Sequence, residues 1–186
     1  MDLQKNAQRF TGFSALYDNV RPVLPVYAIG CIRRYLEREP EQVVDLGCGT
    51  GLSTLALAQM GGSITGVEPS LDMLRIAQSK TVPENVSFRE GYAHATGLPD
   101  AFADVVVCSQ SFHWMEPEST LQEIGRILKP AAAPDAPAGG IMATVDCDWP
   151  PVCDWRAEVA WQALSAEAAR IAGECPELQA QTALAW

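Results

Sequence analysis

The sequence predicts an α/β fold with a doubly wound, mainly parallel sheet of at least five strands. Short apolar runs alternate with segments of helical spacing, and this rhythm favours a parallel sheet covered by helices on both faces. The run from Val105 to Cys108 is wholly apolar, as expected of a strand that is buried on both sides. Ligands of such sheets bind beyond the carboxyl ends of the strands, so we expect functional residues directly after each strand.

Each element has its own signal in the sequence. Helices are predicted where apolar residues recur at helical spacing, and strands where short apolar runs end at glycine, proline or polar residues. Ser70 is predicted to be the N-cap of the third helix. The predicted order is helix 26–38, strand 43–46, helix 52–59, strand 64–67, a helix from 71, strands 86–88 and 105–108, a helix on Leu121, Ile124 and Leu128, and strand 140–145.

Length and composition indicate one domain over residues 1–186. The chain is 48% hydrophobic and 19% charged, which is typical of globular proteins. Residues 1–21 are expected to form an irregular or partly helical arm, and residues 154–186 a helical segment. Residues 131–138 read AAAPDAPA and are predicted to be a surface loop.

Charge and composition argue against several kinds of partner. The formal net charge is −10, so we expect neither a nucleic-acid-binding face nor a membrane-binding face. No apolar run reaches the ~18 residues of a membrane span, and the first ten residues lack the apolar core of a signal peptide, which predicts a cytoplasmic protein. The six cysteines form no CxxC pair, so we expect free thiols rather than disulfides or a metal site.

A glycine-rich stretch follows the first predicted strand. Gly47, Gly49 and Gly51 give a turn in which the backbone can approach a ligand closely, and the following helix offers free N–H groups. A dinucleotide fingerprint would have a small residue near position 52, where this chain has Leu52. The spacing therefore disfavours a nicotinamide dehydrogenase.

Two acidic residues limit the kind of ligand further. Asp45 lies at the end of the first strand, where a carboxylate suits a cationic group better than a pyrophosphate. Glu68 ends the second strand and can accept hydrogen bonds from both hydroxyls of a ribose. S-adenosylmethionine has the ribose, the positive charges and the small anion that these residues predict.

The same residues resemble the class I S-adenosylmethionine-dependent methyltransferases. DLGCGTG followed by GVEPS carries the resemblance, and GLPDAFADVVVCSQSFHW strengthens it. YDNVRP at Tyr17 resembles the entry segment of the small-molecule branch, near the ubiquinone-biosynthesis and trans-aconitate-type enzymes. The resemblance covers about Phe10 to Val145. It implies methyl transfer to a small-molecule acceptor by in-line displacement.

The resemblance also implies a cofactor contact at most strand ends. The three glycines would line the methionine part, with Asp45 near its amino group and Glu68 on the ribose. Met73 is either beside the adenine or a core residue, and His94 is either beside the adenine or a surface residue. The other implied contacts are Ala93 and Ser109 through their backbones, and Tyr17 and Arg21 in a lid, with a surface salt bridge as the alternative for Arg21.

His113 is the candidate catalytic residue. It follows the fourth strand, where it would contact the acceptor or act as a general base, and a structural role at the next helix is the alternative. The Asn/Asp-Pro-Pro-Tyr type of tetrapeptide is missing at Ser109, which argues against methylation of adenine amines. Trp114, Trp155 and Trp161 are candidates for the pocket wall or for packing.

Two departures from the family pattern affect the C-terminal part. The usual Lys-Pro-Gly-Gly turn is split between Lys129 and Gly140, from which we expect a longer loop. The antiparallel hairpin that normally follows the fifth strand has no visible sequence. Three explanations stay open: terminal helices cover that edge, another chain pairs with it, as in a homodimer, or the chain is a fragment, which we favour.

The functional alternative is a non-enzymatic S-adenosylmethionine-binding module or partner-stabilising subunit.

Overall fold

Five strands form one parallel sheet in the computed structural model, which describes residues 14, 18, 19, 21–131, 139–146 and 155–174. The strand order is β3-β2-β1-β4-β5, so it reverses between β1 and β4. The doubly wound parallel sheet is confirmed. The strands are β1 (Gln42–Leu46), β2 (Ser63–Glu68), β3 (Val86–Glu90), β4 (Val105–Ser109) and β5 (Ile141–Val145).

Most helices lie close to their predicted positions. The helix after β1 is short and continues as a 3-10 turn (Ala58–Met60), and a second 3-10 turn (Phe112–Trp114) follows β4. The helices are α1 (Val26–Leu36), α2 (Leu52–Leu57), α3 (Leu71–Ser79), α4 (Pro117–Ile127) and α5 (Trp155–Glu174).

The sheet separates two hydrophobic cores, because successive strand residues point to opposite faces. Val43, Val105 and Val107 pack in one core with residues of α1. Val44 and Val106 pack in the other core with residues of α4. All five valines have no exposed surface, which explains why these strands are apolar without alternation.

Two helices show details that the sequence pattern does not give. Ser70 is the N-cap residue of α3, as predicted, but its hydroxyl makes no cap hydrogen bond, and its backbone N–H donates to Glu68 Oε1 at 2.8 Å. Leu121 is one of the apolar residues whose spacing predicts helix α4, yet it is 49% exposed, whereas Ile124 and Ile127 are buried. The buried face of α4 is therefore centred on Ile124 and Ile127.

The split turn before β5 keeps its ends together. The Gly140 N–H donates to the Lys129 carbonyl at 2.6 Å, so the two halves of the turn meet although eight more residues lie between Pro130 and Gly139. The predicted surface loop falls mostly on residues 132–138, which lie outside the described residues. The additional residues therefore leave Gly140, directly before β5, hydrogen-bonded to Lys129.

The chain divides into two compact units, 1–146 and 147–186. Helix α5 belongs to the second unit and confirms helical structure within 154–186. Most of the arm 1–21 lies outside the described residues. Cys31, Cys48 and Cys108 are free thiols. None of the described helices is both long and apolar enough to cross a membrane.

Candidate functional site

The loops at the carboxyl edge of the sheet are joined by hydrogen bonds. All strands are parallel, so the segments that follow them emerge at the same edge. The N–H groups of Gly47 and Cys48 donate to the Val67 carbonyl at 2.9 and 3.2 Å. The buried Ser111 hydroxyl donates to the Leu46 carbonyl at 2.7 Å. The loops after β1, β2 and β4 therefore form one connected surface.

The three loop glycines have positive φ angles but different surroundings. The angles are 68° at Gly47, 56° at Gly49 and 84° at Gly51. A Cβ atom at Gly47 would lie 2.7 Å from Ser111 Cβ, and one at Gly51 would lie 2.6 Å from Phe88 Cζ. A Cβ at Gly49 would meet nothing within 4 Å. Packing requires glycine at 47 and 51, whereas Gly49 borders open space that a ligand can occupy.

Asp45 is a buried carboxylate with one oxygen left without a partner. Its Oδ2 accepts hydrogen bonds from Ser53 Oγ and Thr54 Oγ1, each at 2.7 Å. Its Oδ1 is buried and has no hydrogen-bond partner in the described part of the chain. Burial raises the pKa of Asp45 from 3.8 to about 6, although the two hydroxyl donors oppose the shift. A cationic donor would satisfy the free oxygen and stabilise the charged form.

Glu68 is held by the backbone of two loops. Its Oε2 accepts from the Gly49 N–H at 2.9 Å and its Oε1 from the Ser70 N–H at 2.8 Å. Burial raises the pKa of Glu68, and the negative charge of Asp45 raises it further. Each carboxylate oxygen has a second lone pair, so Glu68 can still accept hydrogen bonds from ligand hydroxyls.

The loop after β3 holds the residues expected near an adenine. The Ala95 N–H donates to the Tyr92 carbonyl at 3.0 Å, which closes a turn over Ala93 and His94. The rings of Tyr92 and His94 lie 5.4 Å apart, and both residues are half-buried. Met73 is only 2% exposed, so its side chain belongs to the core in this structure. The adenine contacts stay predictions.

The ends of β4 and β5 form the other half of the site. Ser109 is half-buried at the end of β4, and His113 is exposed in the following turn. His113 Nδ1 lies 3.1 Å from Asp146 Oδ2, and the His113 ring lies 4.8 Å from that of Trp114. Sequence reasoning missed Asp146. The available signal was its position directly after a predicted strand, which it shares with Glu68.

Arg21, which precedes α1 in the chain, contacts this half of the site at Gln110. Its Nη2 donates to Gln110 Oε1, and Gln110 has a φ of 51°, which is uncommon outside glycine. Lys80 Nζ donates to Asp18 Oδ1 at 2.5 Å, which attaches the same arm to the end of α3. Tyr17 lies outside the described residues. The lid is still a prediction, now with two observed attachments of the arm.

Of the three tryptophans predicted for the pocket wall, Trp114 lies in the first compact unit. Trp114 is half-buried next to His113, whereas Trp155 and Trp161 belong to α5 in the second unit, so their role in a wall stays a prediction. Among the described residues, no group of three or more His, Cys, Asp or Glu residues is placed to hold a metal ion.

Comparison with known proteins identifies the family of this site. Residues 44–133 match a family model described as a methyltransferase domain. CRG1 of Saccharomyces cerevisiae, named as a probable S-adenosylmethionine-dependent methyltransferase, is 29% identical over 121 residues, which cover 62% of this chain and 42% of that protein. The uncharacterized methyltransferase Mb3374 of Mycobacterium bovis is 32% identical over 114 residues, which cover 61% of this chain and 45% of that protein.

Solved structures agree with the sequence relatives. A protein of Anabaena variabilis, provisionally assigned as a methyltransferase of an antibiotic biosynthesis pathway, has a TM-score of 0.55 and 28% identity, covering 68% of this chain and 47% of that one. The chain spans less than half the length of the two curated relatives. Fold, glycine loop and relatives agree: residues 44–133 match a methyltransferase domain, with the fold and the glycine loop of the class I S-adenosylmethionine-dependent family.

Proposed function

We propose that this chain binds S-adenosylmethionine at the ends of β1, β2 and β3 and transfers its methyl group to a small-molecule acceptor. The observation that carries the proposal is the buried Asp45 carboxylate, whose Oδ1 has no hydrogen-bond partner among the residues that the structure describes. A buried carboxylate oxygen in that state calls for a donor, and a cationic donor also offsets the cost of burying the charge.

The residues of the site fit the cofactor in charge and in space. Asp45 and Glu68 are both buried, and the charge of Asp45 raises the pKa of Glu68, so the site favours a ligand that carries positive charge. The open space beside Gly49 admits the ligand, and Glu68 retains lone pairs for ribose hydroxyls. When bound, the cofactor would supply an activated methyl group on a positively charged sulfur.

The protein's own contribution to the reaction is binding and alignment. Asp45 would hold the amino group and Glu68 the ribose, and these two contacts would fix the direction of the reacting end toward β4. Ser109 and the 3-10 turn after it face that end from the neighbouring strand. Because in-line displacement depends on the approach angle, a rigid site accelerates the reaction by orientation.

The acceptor side of the site supports a small molecule. His113 is 45% exposed at the end of β4, so a diffusible acceptor can reach it. The net charge of −10 opposes binding of a nucleic acid backbone. We assign His113 as the residue that contacts the acceptor. A cytoplasmic location is part of the same proposal.

Calorimetry tests cofactor binding. We expect S-adenosylhomocysteine to bind and NAD not to bind. Glu68→Ala should weaken S-adenosylhomocysteine binding by ~1–3 kcal/mol, the usual cost of losing a charged hydrogen-bonding partner. Glu39→Ala, which lies before β1 and is 78% exposed, is a control that removes the same charge at the opposite edge of the sheet and should leave affinity unchanged. Tight NAD binding without S-adenosylhomocysteine binding would refute the assignment.

Turnover separates the enzyme from the alternative, a binding module that only stabilises a partner. Methyl-labelled S-adenosylmethionine is incubated with a low-molecular-weight metabolite extract, and labelled products are identified by mass spectrometry. We expect a labelled small molecule that depends on the protein. Cofactor binding without any labelled product from extracts or purified acceptors would favour the binding module.

A further inference from the structure

Asp146 and His113 form a pair at the carboxyl ends of neighbouring strands. His113 Nδ1 lies 3.1 Å from Asp146 Oδ2. Both side chains are open to solvent, with His113 45% and Asp146 60% exposed. A surface pair of this exposure adds little to folding stability, so stability does not explain why the two side chains are paired. It lies beside the strand ends where the acceptor is proposed to bind.

The backbone on both sides of the pair is fixed by the sheet. Ser109 pairs with Val145, the residue before Asp146, and the Gln110 N–H donates to the Val145 carbonyl at 2.7 Å. The turn that carries His113 is closed by the Trp114 N–H, which donates to the Ser111 carbonyl at 3.0 Å. These hydrogen bonds fix the two backbone segments from which the side chains of His113 and Asp146 reach each other.

The chemistry of the two groups determines which imidazole nitrogen stays available. An ionised carboxylate only accepts hydrogen bonds, so the nitrogen that faces it must carry the proton. With Nδ1–H donating to Asp146, the neutral ring keeps its lone pair on Nε2. A lone pair on Nε2 can accept a proton from a molecule in the acceptor position.

We propose that Asp146 is a positioning residue that holds His113 as the Nδ1–H tautomer, so that Nε2 takes a proton from the methyl acceptor. This inference rests on the proposed function. It assigns the acceptor to the class whose nucleophile must lose a proton: alcohols, phenols and acidic carbons. A carboxylate or thiolate acceptor would need no base.

The proposed step balances in atoms and charge. The acceptor proton moves to His113 Nε2, and the electron pair it leaves forms the new bond to the methyl carbon. The bond between that carbon and sulfur breaks, and its electron pair stays on sulfur, which becomes neutral. His113 is left as an imidazolium next to the Asp146 carboxylate, which stabilises the charge.

The tautomer can be measured directly, because the chain contains two histidines. Long-range ¹H–¹⁵N spectra of the ¹⁵N-labelled chain, saturated with S-adenosylhomocysteine above pH 7.5, distinguish Nδ1–H from Nε2–H. We expect His113 to be mainly Nδ1–H. In Asp146→Ala the Nδ1–H population should fall several-fold, while His94 provides an unchanged internal reference.

A second variant separates positioning from a fault in folding. Asp146→Asn retains an oxygen that can accept from Nδ1–H, so it should keep the wild-type tautomer, with thermal unfolding near that of the wild type. A wild-type His113 that is mainly Nε2–H, or an Asp146→Ala spectrum with no change at His113, overturns the proposal. Loss of S-adenosylhomocysteine binding in the wild type would instead overturn the proposed function.

The class of the acceptor can be tested through the stability of the methylated product in alkali. The labelled products of the turnover assay are treated with mild alkali, which hydrolyses methyl esters and leaves methyl ethers and C-methyl products intact. We expect the label to survive, and Asp146→Ala to lower its yield at least several-fold while cofactor affinity is unchanged. Label found only in alkali-labile esters, or only on sulfur, refutes the assigned class.

Discussion

Asp45 is an unusual residue because the protein buries it without fully satisfying it. Its pKa is raised to about 6 by burial, so the folded state holds a proton that the unfolded chain has lost above pH 3.8. The folded state therefore loses stability as the pH rises from about 4 to about 6, on the order of 3 kcal/mol. A cationic ligand reverses this cost, because it favours the ionised form.

This titration predicts a pH dependence of ligand binding. Below pH 6, Asp45 becomes protonated, and the affinity for S-adenosylhomocysteine should fall by up to about tenfold per pH unit. Calorimetry between pH 5 and 8 measures the effect. Asp45→Asn should bind more weakly at pH 7.5 and lose most of the dependence. A wild-type affinity that does not change between pH 5 and 7.5 would contradict the role of Asp45.

The proposed contact between Gly49 and the ligand can be tested with Gly61 as a matched control. Gly49 and Gly61 both have positive φ angles, and at neither would a Cβ meet an atom within 4 Å. Alanine should cost about 1 kcal/mol of folding stability at Gly49, and about 1–3 kcal/mol at Gly61, whose ψ of −178° lies in a region that is almost restricted to glycine. Gly49→Ala should also lower S-adenosylhomocysteine affinity at least tenfold, whereas Gly61→Ala should not. Equal affinities of the two variants would show that Gly49 does not border the ligand.

Asp104 joins several elements at the opposite edge of the sheet. Its Oδ2 accepts from the N–H groups of Glu41 and Gln42, both at 2.8 Å, and the residue also pairs with Arg38 and Lys129. Asp104 is fully buried, and its pKa falls to about 2 although burial alone would raise it, because these donors favour the charged form. The contact connects α1, β1 and the segment before β5.

Asp104→Asn should therefore cost about 2 kcal/mol of stability near pH 7. A carboxylate with a lowered pKa stabilises the fold above its ordinary pKa of 3.8, and that contribution disappears as the pH falls from about 4 to about 2. The variant should lack this part of the acid response in urea unfolding. Asp72→Asn, which removes the same charge from an i,i+3 surface pair with Arg75, should change stability by less than about 0.5 kcal/mol.

The sequence predicts elements better than it predicts contacts between them. Strands and helices were located because apolar runs and glycines are local signals, and Asp45 and Glu68 because a strand and a loop motif fix their positions. Asp146 was missed because only the strand order brings β5 beside β4. Ser70 was correctly located as the N-cap of α3, but the hydrogen bond from its backbone N–H to Glu68 is a contact that no local pattern predicts.

At the scale of the whole molecule, β5 is an edge strand. Among the described residues no strand pairs with its outer side, and Thr144 is exposed there. Unpaired backbone groups on an edge favour pairing with another chain. The structure thus leaves room for the homodimer considered from the sequence.

We expect concentration-dependent self-association that a charge on this edge weakens. Thr144→Lys should shift the sedimentation equilibrium toward monomer by at least several-fold. Leu121→Lys introduces the same charge at an exposed position of α4 and should not shift it. A wild-type chain that is monomeric at high concentration, or an equal effect of both variants, would argue against pairing through β5.

The reversal of strand order between β1 and β4 also matters for how such a protein can change over generations. Most residues proposed to bind the cofactor lie at or after the carboxyl ends of β1, β2 and β3, and those proposed to face the acceptor follow β4 and β5. Replacements at Trp114 and at the residues around the His113–Asp146 pair can therefore alter substrate choice while the cofactor stays bound as before. An engineer seeking a new specificity would diversify that half and leave the other untouched.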